Sequence, residues 1–146
     1  AQKILDSFGI GSDVWSATSF NMLRKDGMEK ERFNELNPTS KQKRTYVEEC
    51  LPSLETPVIA ATDYIRAYPE QIRGFIKAPY FTLGTDGYGR SDSRQKLREF
   101  FEVDATNIAR LAIYSLFHKG DISKSEIKSL YKQLKIDPSK PNPWDV

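Results

Sequence analysis

Short apolar runs and amphipathic stretches alternate along this chain. Residues 57–62 (PVIAAT) and 80–84 (YFTLG) are almost continuously apolar, which is typical of strands in a parallel sheet that is covered on both faces. Residues 13–19 (DVWSATS) have high strand propensity and directly follow a short amphipathic helix over residues 1–8. A helix that leads into a strand is half of a βαβ unit, so we expect the preceding strand to lie upstream of Ala1.

Between and after these strands, apolar residues recur at helical spacing. The predicted helices cover residues 20–36, 45–51, 64–76, 93–101, 105–118 and 124–134. Residues whose side chains can accept hydrogen bonds from free helix amides stand at the predicted starts of four of them. These predicted caps are Ser19, Asp63, Asp104 and Ser123, the last forming a capping box with Glu126.

Glycine and proline are expected to interrupt or end several helices. Gly27 is predicted to break helix 20–36, and Pro69 to divide helix 64–76 into two pieces, because proline lacks an amide hydrogen and clashes with the preceding turn. Gly120 ends helix 105–118. Residues 137–146 hold three prolines and are expected to run as an extended tail along the surface.

Alternation of strands and helices predicts an α/β fold, a three-layer sandwich with a mostly parallel sheet that lacks its first strand. The 146 residues, 38% of them hydrophobic and 29% charged, fit one domain over residues 1–146 rather than a disordered segment. No run of roughly 20 apolar residues is present. We therefore expect no membrane partner.

The charge balance argues against a nucleic-acid partner. Lys and Arg total 22 against 20 Asp and Glu, and residues 119–146, with six lysines and four acidic residues, hold the whole surplus of two. Nucleic-acid binders usually concentrate basic residues on one face. The densest basic cluster, residues 41–44 (KQKR), is interpreted as a solvated loop, with a polyanion site as the alternative.

Residues with catalytic potential are few. Cys50 is the only cysteine, which rules out an internal disulfide and a multi-cysteine metal site and is compatible with a reducing compartment. His118 is the only histidine, so one chain cannot build a His-based zinc site. Glutamates pair at residues 48–49 and at residues 99 and 102, but solvated helix faces explain these pairs more economically than acid–base chemistry.

The most informative segment is a glycine-rich turn between a predicted strand and a predicted helix. It consists of Asp86, Gly87, Tyr88, Gly89, Arg90, Ser91 and Asp92. Ligands bind at the carboxyl ends of parallel strands, and helix N-termini attract anions. However, the turn is acidic as well as basic and lacks a complete phosphate-binding fingerprint. Two interpretations remain open: a structural or interface turn, and a small anion-binding or regulatory site.

Several stretches together resemble one family. They are residues 13–20 (DVWSATSF) running into 24–28 (RKDGM), 60–64 (AATDY) through 68–73 (YPEQIR), 83–92 (LGTDGYGRSD), 100–104 (FFEVD) and 142–143 (NP). In order and spacing they are similar to the C-terminal domain of the homodimeric, bacterial-type pyruvate dehydrogenase (acetyl-transferring) components, which are transketolase-like thiamine enzymes. Tyr88 departs from the expected phenylalanine.

The resemblance implies a cytoplasmic oxidoreductase with three α/β domains per subunit. Such enzymes bind thiamine diphosphate and magnesium between the first two domains of opposing subunits, decarboxylate pyruvate and reductively acetylate the lipoyl groups of the dihydrolipoyl acetyltransferase component. The third domain mainly supports the homodimer. No catalytic, cofactor-binding or metal-binding residue is therefore carried over to this chain, and its partners would be the remaining domains and a second subunit.

For a domain that supports a homodimer, an interface role is the expected one for the glycine-rich turn. We expect its glycines to allow a tight turn, and Arg90 to pair with Asp92 across a domain or subunit boundary. The alternative, an anion-binding module that uses the same turn, remains open.

Overall fold

The computed structural model describes residues 1–51 and 55–145. Pro52 and Val146 lie outside the described residues. Two parallel strands, β1 (Val58–Ala61) and β2 (Tyr80–Leu83), pair along their full lengths. The helices are α1 (Gln2–Ser7), α2 (Phe20–Leu36), α3 (Tyr46–Cys50), α4 (Ala67–Glu70), a 3-10 helix (Arg73–Phe75), α5 (Arg94–Phe100), α6 (Ala105–Lys119) and α7 (Lys124–Gln133). The predicted α/β class with a parallel sheet is confirmed.

The strand predicted over residues 13–19 is wrong. Within the described chain this segment has no regular structure before α2, and Val14 and Trp15 are 74% and 62% exposed. Strand propensity largely reflects packing against neighbouring strands. Here β1 and β2 pair with each other, and no backbone hydrogen bond joins residues 13–19 to either strand. The sheet in the described residues therefore has two strands rather than three.

Most predicted helix ends are confirmed by their capping contacts. Ser19 accepts a hydrogen bond from the amide of Met22 at 3.2 Å, and Asp104 accepts one from Asn107 at 2.9 Å. Ser123 forms the predicted capping box, and Gly120 ends α6 with φ of +96°. Such local signals depend on a few consecutive residues, which explains why the sequence reveals them.

The expectations for Gly27, Asp63 and Pro69 are wrong. Helix α2 continues through Gly27, and the ring of Phe75 packs so close to that position that no side chain would fit. The carboxylate of Asp63 binds Arg98 instead of capping a helix. Residues 64–76 form two helical pieces, α4 and the 3-10 helix, but Pro69 does not divide them. It lies inside the first turn of α4, where an amide would have no partner within the helix.

Three clusters of buried apolar residues form the core. They consist of Val47, Ile72, Phe75 and Tyr80; of Leu5, Ala109 and Ile113; and of Leu83, Phe101 and Val103. The first cluster joins α2 and α3 to the strands, and the third anchors α5 beside the end of β2. Within the described residues, no helix has the length and apolar character needed to cross a membrane.

Candidate interface at the strand ends

The glycine-rich turn begins where β1 and β2 end side by side. The amide of Thr85 donates to the carbonyl of Tyr64 at 2.8 Å. The amide of Arg66 donates to the Asp86 carboxylate at 2.8 Å, and the Arg66 side chain reaches the same carboxylate at 3.2 Å. These contacts tie the segment after β1 to the segment after β2.

The tip of the turn projects into solvent. Gly87 has φ of +87°, a left-handed conformation that favours glycine. Tyr88, the next residue, is 95% exposed. The guanidinium of Arg90 lies 4.4 Å from the centre of the Phe100 ring. Asp92 accepts a hydrogen bond from the amide of Ser93 at 2.6 Å, and Ser93 caps α5.

Arginines of α5 bind the segment after β1 rather than the turn. Arg98 makes two hydrogen bonds with Asp63, at 2.9 and 2.6 Å, and Arg94 lies 3.4 Å from the same carboxylate. The hydrogen bond from Arg98 lowers the pKa of Asp63 below its usual value, and it raises the pKa of Arg98. The positive charge of Arg94 and Arg98 is therefore partly neutralised, which leaves less of it for an anion site at the turn.

Exposed aromatic and apolar side chains follow β1, in the segment that is tied to the start of this turn. Tyr64, Ile65 and Tyr68 are 70%, 50% and 38% exposed, and the rings of the two tyrosines lie 5.4 Å apart. We call Tyr64, Ile65, Tyr68 and Tyr88 the strand-end patch. The sequence signal that could have located Tyr64 and Ile65 in this patch is their position directly after the strand over residues 57–62.

A polar network lies behind the patch and fixes the outer edge of β2. Arg73 donates two hydrogen bonds to Glu70 and a third to the carbonyl of Tyr80 at 2.9 Å. Glu70 also accepts a hydrogen bond from the Thr82 hydroxyl. The Tyr80 hydroxyl donates to the carbonyl of Pro69 at 2.7 Å, and burial raises its pKa. Arg73 thus covers an edge carbonyl that would otherwise be open to another strand.

Other residues singled out in the sequence are held in local structural contacts. Lys43, in the basic cluster, lies over the ring of Phe33 at 3.5 Å, and Arg44 donates to the carbonyl of Glu48. His118 is exposed near the end of α6, with its ring 6.0 Å from that of Tyr114.

At least one glutamate of each pair binds a cation or an amide of the same chain. Glu48 completes the capping box of α3 and pairs with Lys77, while Glu102 pairs with Arg110 at 3.0 Å. In residues 1–51 and 55–145, no group of three or more His, Cys, Asp or Glu side chains is arranged to hold a metal ion.

Comparison with known proteins identifies relatives of the whole chain. Over 146 residues it is 50% identical to the pyruvate dehydrogenase E1 component of Pseudomonas aeruginosa. The aligned region covers 99% of this chain and 17% of that relative. The identity is 44% over 146 residues with the protein of the same name from Cupriavidus necator (100% and 16%) and 40% over 144 residues with that from Escherichia coli K12 (98% and 16%).

The chain spans about one sixth of the length of these curated relatives. Residues 1–104 match the family described as the transketolase-like TK C-terminal domain. That match includes both strands, the glycine-rich turn and α5. By this match, and by the identity to its relatives over nearly its full length, the chain belongs to the transketolase-like TK C-terminal domain family.

Proposed function

We propose that the chain is the C-terminal structural domain of a pyruvate dehydrogenase E1 component and supports its assembly without touching the reacting atoms. The observation that carries this proposal is the 50% identity to such a component over 99% of the chain. The surface supports it as well, because Tyr88, its most exposed aromatic residue, lies on a turn that begins beside the ends of both strands. An exposed patch next to a turn that hydrogen bonds hold in place is consistent with a role in subunit assembly.

The full-length protein would then decarboxylate pyruvate and reductively acetylate the lipoyl group of a dihydrolipoyl acetyltransferase component in the cytoplasm. Thiamine diphosphate, with magnesium, supplies the stabilised carbanion that such chemistry needs. A second subunit and the remaining domains of the same chain are the direct partners in this proposal.

Neither thiamine diphosphate nor magnesium fits the described residues. Magnesium requires several converging oxygen ligands, and the described residues hold no such group of carboxylates. A diphosphate would need several free cations at the turn, but Arg94 binds Asp63, and Arg90 is a single cation that lies over the Phe100 ring. The proposal therefore assigns both groups to other parts of the enzyme and no catalytic residue to this chain.

For the turn itself, we propose a place in the subunit interface. Arg90 and Asp92 carry opposite charges and make no ion pair within the described residues. Around a two-fold axis, Arg90 of one subunit would meet Asp92 of the other, and the same pair would form twice. Tyrosine and arginine are enriched in such interfaces, which fits the exposed Tyr88 in the same turn.

Charge-reversal variants of the full-length protein test this interface. Arg90→Asp should weaken the dimer strongly, because it places like charges opposite each other, and the double variant Arg90→Asp with Asp92→Arg should restore it. The control is Arg32→Ala, at an exposed arginine that makes no ion pair with any of the residues that the structure describes. Sedimentation velocity measures the dimer fraction. An unchanged dimer in the single variant, or no recovery in the double variant, would refute the pairing.

The enzymatic proposal has its own test. Full-length protein, supplied with thiamine diphosphate, magnesium and a lipoylated acceptor domain, should release carbon dioxide from pyruvate and acetylate the acceptor. Absence of both products from a correctly folded, cofactor-loaded dimer would contradict the proposed activity.

The anion-binding alternative rests on Arg90, which has no carboxylate partner in the described residues. Titration calorimetry of the full-length protein with inorganic phosphate separates the two possibilities. The interface proposal predicts no saturable binding at the turn. Saturable binding that disappears in Arg90→Ala but not in Arg32→Ala would favour the anion site.

A further inference from the structure

The segment over residues 137–145 contacts both ends of the unit formed by the glycine-rich turn and α5. At the far end, the ammonium group of Lys140 donates to the carbonyls of Glu99 and Phe100, at 2.9 and 3.2 Å. It also lies 3.3 Å from the carboxylate of Glu102. A lysine at this position satisfies carbonyls that a helix leaves open and interacts favourably with its dipole.

At the near end, Trp144 lies beside the start of the turn. Its ring centre is 5.4 Å from the guanidinium of Arg66, which binds Asp86. Its Cα atom is 3.6 Å from the position that a Cβ of Gly87 would occupy. One short segment therefore reaches the end of α5 through Lys140 and the beginning of the turn through Trp144.

The unit between these contacts has little stability of its own. Helix α5 has seven residues, none of which is fully buried, and helices of this length are marginal in water without tertiary contacts. The preceding turn contains two glycines, which lose more conformational entropy on folding than other residues. External contacts must therefore supply a large part of its order.

By contrast, the segment that makes the contacts is stiff. Asp137 accepts hydrogen bonds from the amide and hydroxyl of Ser139, and Asn142 accepts one from the amide of Trp144. The prolines at 138, 141 and 143 fix the backbone torsion φ. Because few torsions remain to be fixed, ordering this segment against the domain costs little entropy.

We infer that residues 137–145 act as a clamp that couples the two ends of the turn and α5 and so holds the strand-end patch in one position. The clamp predicts coupling between the two ends: loss of either the Lys140 contact or the Trp144 contact should loosen both. The clamp itself concerns contacts within one chain. Only its consequence, that a fixed strand-end patch favours subunit assembly, rests on the proposed function.

Hydrogen exchange of the full-length protein, followed by mass spectrometry of peptides, tests the clamp. Trp144→Ala should raise exchange roughly two- to fivefold in the turn and also at residues 98–103, at the distant end of α5. Lys140→Ala should raise exchange by a similar factor at residues 98–103 and also in the turn. Lys135→Ala, at an exposed lysine without an ion pair in the described part of the chain, should change neither region.

The pattern of exchange decides the outcome. If each variant affects only its own end, or neither end, the clamp is refuted. Unchanged exchange in α6 verifies that the variants are folded, and Lys140→Arg should retain most of the protection. Sedimentation of the same variants keeps the two proposals apart: coupled loosening with an intact dimer supports the clamp and counts against the turn as an interface.

Discussion

The backbone of Arg66 passes so close to Gly84 that no side chain fits between them. A Cβ on Gly84 would lie 2.6 Å from the backbone nitrogen of Arg66 and 2.9 Å from the carbonyl oxygen of Tyr64. Neighbouring hydrogen bonds, from Thr85 to Tyr64 and from Arg66 to Asp86, fix this approach. Glycine at the end of β2 is thus a condition for bringing the two strand ends together.

Gly84→Ala is expected to lower the free energy of unfolding of the 146-residue chain by about 3 kcal/mol, because backbone atoms rather than a movable side chain must give way. Urea unfolding followed by circular dichroism measures the loss. Gly89→Ala is the matched control, since a Cβ there meets nothing within 4 Å. Equal stability of the two variants would contradict the close approach.

A similar contact predicts the outcome at Gly27 in α2. A Cβ there would lie 2.4 Å from the ring of Phe75, which is buried in the core. Alanine improves helix propensity by about 1 kcal/mol, but overpacking costs about 1–3 kcal/mol. The expected net result of Gly27→Ala is a loss of about 1 kcal/mol in urea unfolding.

Two further variants identify the cause. Gly74→Ala, with open space around the new methyl group, should leave stability nearly unchanged. Combining Gly27→Ala with Phe75→Leu should destabilise the chain by less than the sum of the single changes, because the smaller side chain makes room. Simple additivity would show that the ring contact is not responsible.

These glycines show which parts of the fold the sequence could predict. The caps at Ser19, Asp104 and Ser123 depend on three or four consecutive residues, and their prediction is confirmed. Gly27 was expected to break α2, since nothing near it in sequence indicates a contact with Phe75. Likewise, residues 13–19 have the composition of a strand, but composition does not supply a partner strand.

The candidate interface was predictable in position but not in detail. A glycine-rich turn after a parallel strand points to the edge of the sheet where strands end. The contacts of Arg66 with Asp86 and Trp144 join residues that are distant in sequence. Sequence periodicity carries no information on such pairs, so the role of residues 137–145 emerges only from the structure.

The buried hydroxyl of Tyr80 provides a third prediction. It donates to the carbonyl of Pro69, a residue that is almost fully buried. Tyr80→Phe removes this donor and leaves the Pro69 carbonyl with only a longer hydrogen bond, from the amide of Ile72 at 3.4 Å. The expected cost is about 1 kcal/mol in urea unfolding. Tyr88→Phe, the same change at a residue that is 95% exposed, should alter stability by less than about 0.5 kcal/mol. Equal effects would show that burial of the hydroxyl does not matter.

Glu70 makes the stability of the chain depend on pH in the acidic range. Its hydrogen bonds with Arg73, assisted by the Thr82 hydroxyl, lower its pKa below the usual value of 4.5, although partial burial opposes the shift. A carboxylate with a lowered pKa contributes stability that is present above its unfolded-state pKa. That contribution is lost as the pH falls through the lower pKa of the folded state. Asp63 and Glu48, whose pKa values are also lowered, add to the same trend.

We therefore expect the free energy of unfolding to decrease as the pH falls from about 5 to about 3, and Glu70→Gln to reduce that slope. Glutamine keeps an oxygen that can accept from Arg73 but cannot titrate, so its variant should be less stable near neutral pH and approach the wild type in acid. Urea unfolding at several pH values measures both curves. Glu35→Gln, at an exposed residue that makes no ion pair in the described part of the chain, should preserve the wild-type slope. A slope that Glu70→Gln leaves unchanged would mean that the Arg73 contact does not stabilise the charged form of Glu70.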